Sequence, residues 1–358
     1  MAHVMRILWP GRAPIIAMIA AAFFFAGIPG ATACIIGPDN FCPPGSDRIR
    51  LLYTIRDQTA LFQVLAHRTM AFPQQTARTE PKPVQLASLG NHQVAARQTE
   101  PAPWQIWFSG SYGNLENDHI ATDHSGDLYT GIVGIDRKLG KGHTLGLSVS
   151  RDRMDLDTGF NFGRYESDAV TVAPYGAVQL TDWLALDLML AYTRIEIDQS
   201  RLLVVGPGNI DSTADSRRWL GQVSVTGTKV FRSWYTSGRL GVVYSDEKID
   251  GFTESNGDII PERNIELGQV HLEGRAGVFF SGGAATLGAT YIYDFDPLDF
   301  SVSFGQPTPD DDRDGLMLNA SLTLFHARGV MSNFALSHEF LRNYVANTFL
   351  MASLIVRF

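Results

Sequence analysis

The sequence predicts an all-β fold: twelve antiparallel strands closed into a transmembrane β-barrel, with an N-terminal α-helical extension. Three observations predict it. From Trp104 to Phe358 the chain is a train of short segments in which every second residue is apolar. Short turns alternate with longer polar loops between those segments. An export signal opens the chain. A membrane barrel requires the first two features, because one face of each strand meets lipid and the other a wet lumen. A soluble sandwich or propeller is the alternative, disfavoured by the export signal together with apolar alternation on nearly every strand.

Composition narrows the class further. No apolar run after residue 26 reaches the roughly 18 residues that a membrane helix needs. That leaves barrels open, because only about half of a barrel strand faces lipid. The net charge is −8, and there is no basic block with interleaved aromatics, so nucleic acid is not an expected partner.

Residues 1–33 read as a signal peptide. Arg6 and Arg12 are followed by the apolar residues 15–27 and by Ala31-Thr32-Ala33, the A-x-A form of a cleavage site. The two cysteines of the chain, Cys34 and Cys42, come next. In an exported chain they suit a small disulfide loop; lipid modification of Cys34 is the alternative. Residues 46–71 are expected to be helical. Ser46 suits an N-cap, and Ile49, Leu52, Tyr53, Ala60, Val64 and Leu65 recur at helical spacing. Residues 72–103 are rich in Pro, Gln, Thr and Ala, and a weaker helix is possible over 83–97. The segment 34–103 is thus short, with the barrel domain covering 104–358.

The strands follow in order. The first, over 104–113, leads to a polar loop at 114–127. Strands at 128–140 and 143–156 meet at a tight turn, and a long loop is expected at 157–164. Strands at 169–180 and 183–197 meet at Thr181-Asp182, before a second long loop at 199–216. Strands at 219–231 and 235–249 precede a loop at 251–263. Strands at 265–280 and 284–295 precede the longest loop, 297–314. The last pairs are 315–327 with 331–341, and 346–358. Pro174 fits poorly, because it removes a ladder donor in a sheet without edges. An even strand count puts both barrel ends, Phe358 included, on the periplasmic side and the long loops outside.

Two faces separate on each strand. Leu184, Leu186, Leu188, Leu190 and Tyr192 oppose Ala185, Asp187, Met189, Ala191 and Thr193. Leu316, Leu318, Leu322 and Leu324 oppose Met317, Asn319, Ser321 and Thr323. Val270, Leu272 and Val278 oppose His271, Glu273 and Arg275. Asp187, His271, Glu273 and Arg275 are therefore expected to face the lumen, packing a hydrated interior or selecting solutes.

These segments resemble the barrel domain of bacterial autotransporters, the type-V secretion family. The resemblance rests on WQIWFSGSYGN, GIVGIDRKLGKGHTLGLSVSRDRMDLD, PYGAVQLTDWLALDLMLAYT and the terminal IVRF, in that order and spacing. It implies a twelve-stranded outer-membrane barrel, a helix through its lumen and a passenger led to the cell surface. It also implies that Phe358, with Val356 and Leu354, is read by the barrel-assembly machinery. Outer-membrane lipids and lipopolysaccharide are then the expected surroundings, and the protein is expected to be a monomer. The passenger is unusually short and has no repeats. The alternative is a plugged pore or structural surface barrel that secretes nothing.

No catalysis, cofactor or metal is expected. Ser337 and His338, with Asn333 nearby, suggest the Ser–His–Asn set of outer-membrane phospholipases, but adjacent strand residues point to opposite faces. There is no G-x-S-x-G elbow. Asp310, Asp311, Asp312 and Asp314 lack the spacing of a calcium loop. Asp118, His119, Asp123 and His124 read as a polar surface.

Overall fold

The computed structural model describes residues 104–119, 123–139, 142–203, 208–296, 313–327 and 329–358. The signal peptide, the cysteine pair, the helix expected over 46–71, the linker and Asp310 to Asp312 lie outside these residues.

Twelve strands close into one antiparallel barrel. They are β1 (Trp104–Asn117), β2 (His124–Leu139), β3 (His143–Thr158), β4 (Gly163–Gln179), β5 (Leu184–Leu202), β6 (Asn209–Val230), β7 (Trp234–Ile249), β10 (Arg263–Phe280), β11 (Gly283–Asp296), β12 (Asp314–Ala327), β13 (Val330–Phe340) and β14 (Val345–Arg357). Two short strands, β8 (Phe252–Thr253) and β9 (Ile259–Ile260), pair within the β7–β10 connection. Each barrel strand pairs with its neighbour in sequence, and β1 pairs with β14. Closure leaves no edge with open backbone groups, which a lipid environment would penalise by several kcal/mol apiece.

The seam is complete to its last residue. β1 and β14 pair from Gln105 with Arg357 to Asn117 with Val345. Beyond that ladder, Trp104 and Phe358 exchange two backbone hydrogen bonds, at 3.2 and 3.0 Å. The C-terminal residue thus closes the barrel at the end where the first strand begins.

The strands differ from the sequence expectation mainly in length. The connection expected as a long loop at 157–164 spans only 159–162, and the one expected at 199–216 spans 203–208. The first loop, expected at 114–127, spans 118–123. Each contraction has one cause. Charged and polar residues that read as loop continue the ladder as strand, for example Gln199 opposite Ser212 and Asp198 opposite Thr213. β5 has 19 residues and β6 has 22, about twice the length that a tilted strand needs to cross a bilayer. β13 and β14 have only 11 and 13. The barrel wall is tall around β4–β6 and low around β13 and β14.

Pro174 sits inside β4, opposite Leu147 of β3. On the β5 side the ladder skips Ala173 and Pro174 while the register holds, with Val172 opposite Tyr192 and Tyr175 opposite Met189. The missing donor costs one local gap, and the pairing closes again around it.

Candidate functional site: the barrel interior

The inner face carries three zones: two lie side by side on different strands towards the end that holds Trp104 and Phe358, and one lies towards the far end. The first is a polar network around two aromatic side chains. Trp107 Nε1 donates to the Tyr175 hydroxyl at 2.7 Å, and Tyr175 donates to Asp136 at 2.9 Å. Gln105 donates to Asp136 at 3.2 Å and accepts from Arg357 Nε at 3.0 Å. Glycine makes the network possible. Trp107 lies over Gly134 and Tyr175 over Gly146, each directly across the ladder. A Cβ at either glycine would come within 2.3 Å of the ring.

The second zone holds the charges. Asp187 is buried and accepts from Thr226 Oγ1 at 3.0 Å. Arg239 on β7 lies within electrostatic reach of Asp187 and directly opposite Glu273 on β10. Arg275 is ion-paired with Glu273. His271 contacts Gln269 at 3.0 Å, and Gln269 donates to Asp294 at 2.8 Å. All of these side chains are on the inner face. Two acids and two arginines alternate across β5, β7 and β10, so the group is internally neutralised, as buried charges must be.

The third zone is rich in aliphatic side chains. Leu115, Leu128, Met154, Leu156, Ile195, Ile197, Ile265, Leu267 and Ile292 are all buried on the inner face and belong to one cluster. A uniformly wet lumen was expected, and these side chains contradict it for the far half of the barrel. The inner face there is closely packed, with aliphatic side chains lying among buried polar ones: Arg218 is ion-paired with Glu247 at 3.5 Å, and Ser216 donates to Glu247.

The far mouth is tied by ion pairs. Arg342, from the connection between β13 and β14, reaches Asp294 at 2.9 Å and Glu339 at 3.2 Å. Asn347 also donates to Glu339. Arg201 at the tip of β5 holds Glu254 of the β7–β10 connection at 2.7 Å, and both are largely buried. Ser255 of that connection exchanges hydrogen bonds with Asp211 on β6. The connection is therefore clasped to the tall side of the wall.

The outer face changes character along each tall strand. Leu188, Leu190, Val172 and Val149 are exposed and apolar. Beyond them come cross-strand ion pairs: Arg151 with Asp168 at 2.6 Å, Arg153 with Glu166 at 3.5 Å, and Arg217 with Asp250 at 2.6 Å. Arg164 donates to Asp155 at 2.9 Å. That hydrogen bond holds the Asp155 carboxyl below the usual carboxylate range and raises the Arg164 guanidinium. Tyr192 and Trp219 pack at the transition, with ring centroids 4.8 Å apart.

The remaining sequence candidates are not brought together. Ser337 is buried and donates to Asn319 at 2.6 Å, whereas His338 contacts Thr348 at 2.8 Å on the other face. Asn333 donates to Thr323. Asp314 accepts from the Tyr291 hydroxyl. His119 is buried edge-on against Tyr344, and the Asp118 amide donates to the Tyr344 carbonyl. The Asp123 carbonyl accepts from Gly159, and His124 is buried in β2. Among the described residues no cluster could hold a metal ion. Leu354 and Phe358 are exposed on the outer face, and Val356 is half-buried.

Sequence reasoning passed over Asp136, Arg239, Asp294, Glu339 and Arg342. The first four stand at inward positions of their strands, so strand parity alone could have found them. Arg342 lies in a connection and had no such signal.

A closed twelve-stranded barrel with a belt of exposed apolar residues on its outer wall and an interior lined by charged, polar and aliphatic side chains defines a transmembrane β-barrel. The family model described as "Autotransporter beta-domain" matches residues 106–332. The chain belongs to the autotransporter β-domain family, whose barrels lie in the outer membrane. Solved structures with a similar fold include the translocator domain of the autotransporter NalP from Neisseria meningitidis (14% identity, 72% of this chain and 89% of that chain, TM-score 0.61). The β domain of the Bordetella autotransporter BrkA (12%, 72% and 100%, 0.57) and the transport unit of AIDA-I from Escherichia coli (10%, 75% and 93%, 0.55) are similar as well. No curated protein matches the sequence.

Proposed function

We propose that the barrel carries its own short segment, residues 34–103, through or into its lumen and displays it at the cell surface. The observation that carries this reading is the set of buried aliphatic side chains on the far part of the inner face. Buried aliphatic side chains such as Ile195, Ile197, Ile265 and Leu267 suit an amphipathic helix rather than a stream of water. Residues 46–71 offer such a stripe in Ile49, Leu52, Tyr53, Val64 and Leu65, and a helix of that length would reach roughly 37 Å, enough to run through a membrane. Asp187, Arg239, Glu273 and Arg275 then lie along its route.

On this reading the β14 end faces the periplasm and the connections at 118–123, 159–162, 203–208, 250–262, 297–313 and 341–344 face outward. Phe358, Val356 and Leu354 serve as the signal for the assembly machinery, and the barrel acts as a monomer without covalent chemistry. An epitope tag placed just after Cys42 tests the reading in intact Gram-negative cells. Surface labelling that external protease removes is expected. Labelling only after the outer membrane is opened would replace display by a permanently plugged barrel.

A further inference from the structure

We infer that the outer wall carries a seat for the phosphate of an outer-leaflet lipid, centred on Arg194 and Arg217; this rests on the outer-membrane placement of the barrel and the outward orientation proposed for its far end, and not on what its lumen carries. The two arginines stand directly opposite each other on β5 and β6 and point outward. Like charges at directly opposed positions destabilise a sheet. The row extends the same sign: Arg217 faces Lys248 on β7, and beyond Val170 the same row holds Arg151 on β3. Four cations on five adjacent strands are an electrostatic cost that an anion would relieve.

Neighbouring acids answer three of the four. Arg151 pairs with Asp168, Arg217 with Asp250 and Lys248 with Glu262. Arg194 makes no ion pair or hydrogen bond among the described residues. One row further out, Glu196 and Asp215 oppose each other and keep a phosphate from rising above the arginine level. One row towards the membrane core, Tyr192 and Trp219 form the aromatic pair that marks the headgroup level. A phosphate there meets two forked guanidinium groups, which bind phosphate bidentately. The acyl chains descend past Tyr192 and Trp219 along Leu190 and Val223. The height of the row, directly above an aromatic pair on an apolar wall, fits a phosphorylated lipid better than free phosphate.

Native mass spectrometry of the purified, folded barrel in detergent tests the seat, with diphosphorylated lipid A, its phosphate-free counterpart and inorganic phosphate as probes. Retention of the phosphorylated lipid alone is expected. Arg194→Ala with Arg217→Ala should weaken it by roughly thirty-fold, and Arg153→Ala, on the same wall outside the row, should leave it unchanged. Arg194→Glu separates binding from folding, because it places an acid opposite Arg217. It should raise thermal stability while abolishing retention. Equal retention of the phosphate-free lipid, or undiminished retention by the Glu variant, would overturn the seat. Retention of inorganic phosphate alone would overturn its assignment to lipid. None of these results bears on display of residues 34–103, which the epitope tag reads separately.

Discussion

The two halves of β5 obey opposite rules. Before Tyr192 the strand is apolar outside and small or polar inside, with Leu188 and Leu190 exposed while Asp187 and Ala191 are buried. Beyond Thr193 the order inverts: Arg194, Glu196 and Asp198 point out while Ile195 and Ile197 are buried. β3 inverts in the same way between Val149 and Met154, whereas on β6 only the outer face changes, from Trp219 to Arg217 and Asp215, and Arg218 and Ser216 stay buried inside. The backbone ladder runs through the inversion without a break. One sheet is thus built for two solvents. Where lipid surrounds it, hydrophobic residues face outward. Where water surrounds it, they turn inward as in a soluble protein. The change of sign, rather than the end of the strand, marks the membrane boundary.

Five substitutions sharpen or break that comparison. The largest effect is expected inside the far half, where Ile197→Ala should cost about 2–5 kcal/mol by opening a cavity among the buried aliphatic side chains, read from chemical unfolding of the barrel in lipid bilayers. Next comes the outer face of the near half. Leu188→Arg should cost about 2–4 kcal/mol at the bilayer midplane, whereas Glu196→Arg, on the same face beyond the inversion, should stay within about 0.5 kcal/mol. If the two arginines cost the same, no solvent boundary separates them. Third, Gly134→Ala should cost about 1–3 kcal/mol, because its Cβ would come within 2.3 Å of the Trp107 ring; Trp107 fluorescence should shift as the hydrogen bond to Tyr175 is disturbed.

The smallest effect concerns Asp155. Its folded-state pKa is depressed by the Arg164 hydrogen bond, so its contribution is present above the unfolded value and is lost as pH falls through the folded one. The pair is exposed, so the gain is small. Wild type should exceed Asp155→Asn slightly in melting temperature at neutral pH. That margin should vanish in acid below the usual carboxylate range. A margin that grew on acidification would contradict the assignment.

Much of this was legible in the sequence wherever the strands lie in lipid. Apolar alternation such as Leu186, Leu188 and Leu190 located the membrane-crossing parts, and parity placed Asp187, Glu273 and Arg275 on the inner face. The parts beyond the membrane were misjudged for the same reason. A run such as Asp211 to Asp215 carries charged or polar residues at every second position, and it was read as loop although it belongs to β6. Its apolar partners, Ile210 and Ala214, were present but belong to a soluble-type pattern that a search for lipid-facing residues passes over. Arg342 and Glu254 act from connections, where no periodicity exists to place them.

The inversion can be read directly along one face of one strand. In a chain whose Cys34 and Cys42 are replaced by Ser, single cysteines at positions 186, 188, 190, 192, 194, 196 and 198 would carry a spin label in reconstituted bilayers. The account predicts collisions dominated by oxygen from 186 to 190, by an aqueous nickel chelate from 194 to 198, and a crossover at 192. Uniform access to the aqueous reagent along all seven positions would contradict it.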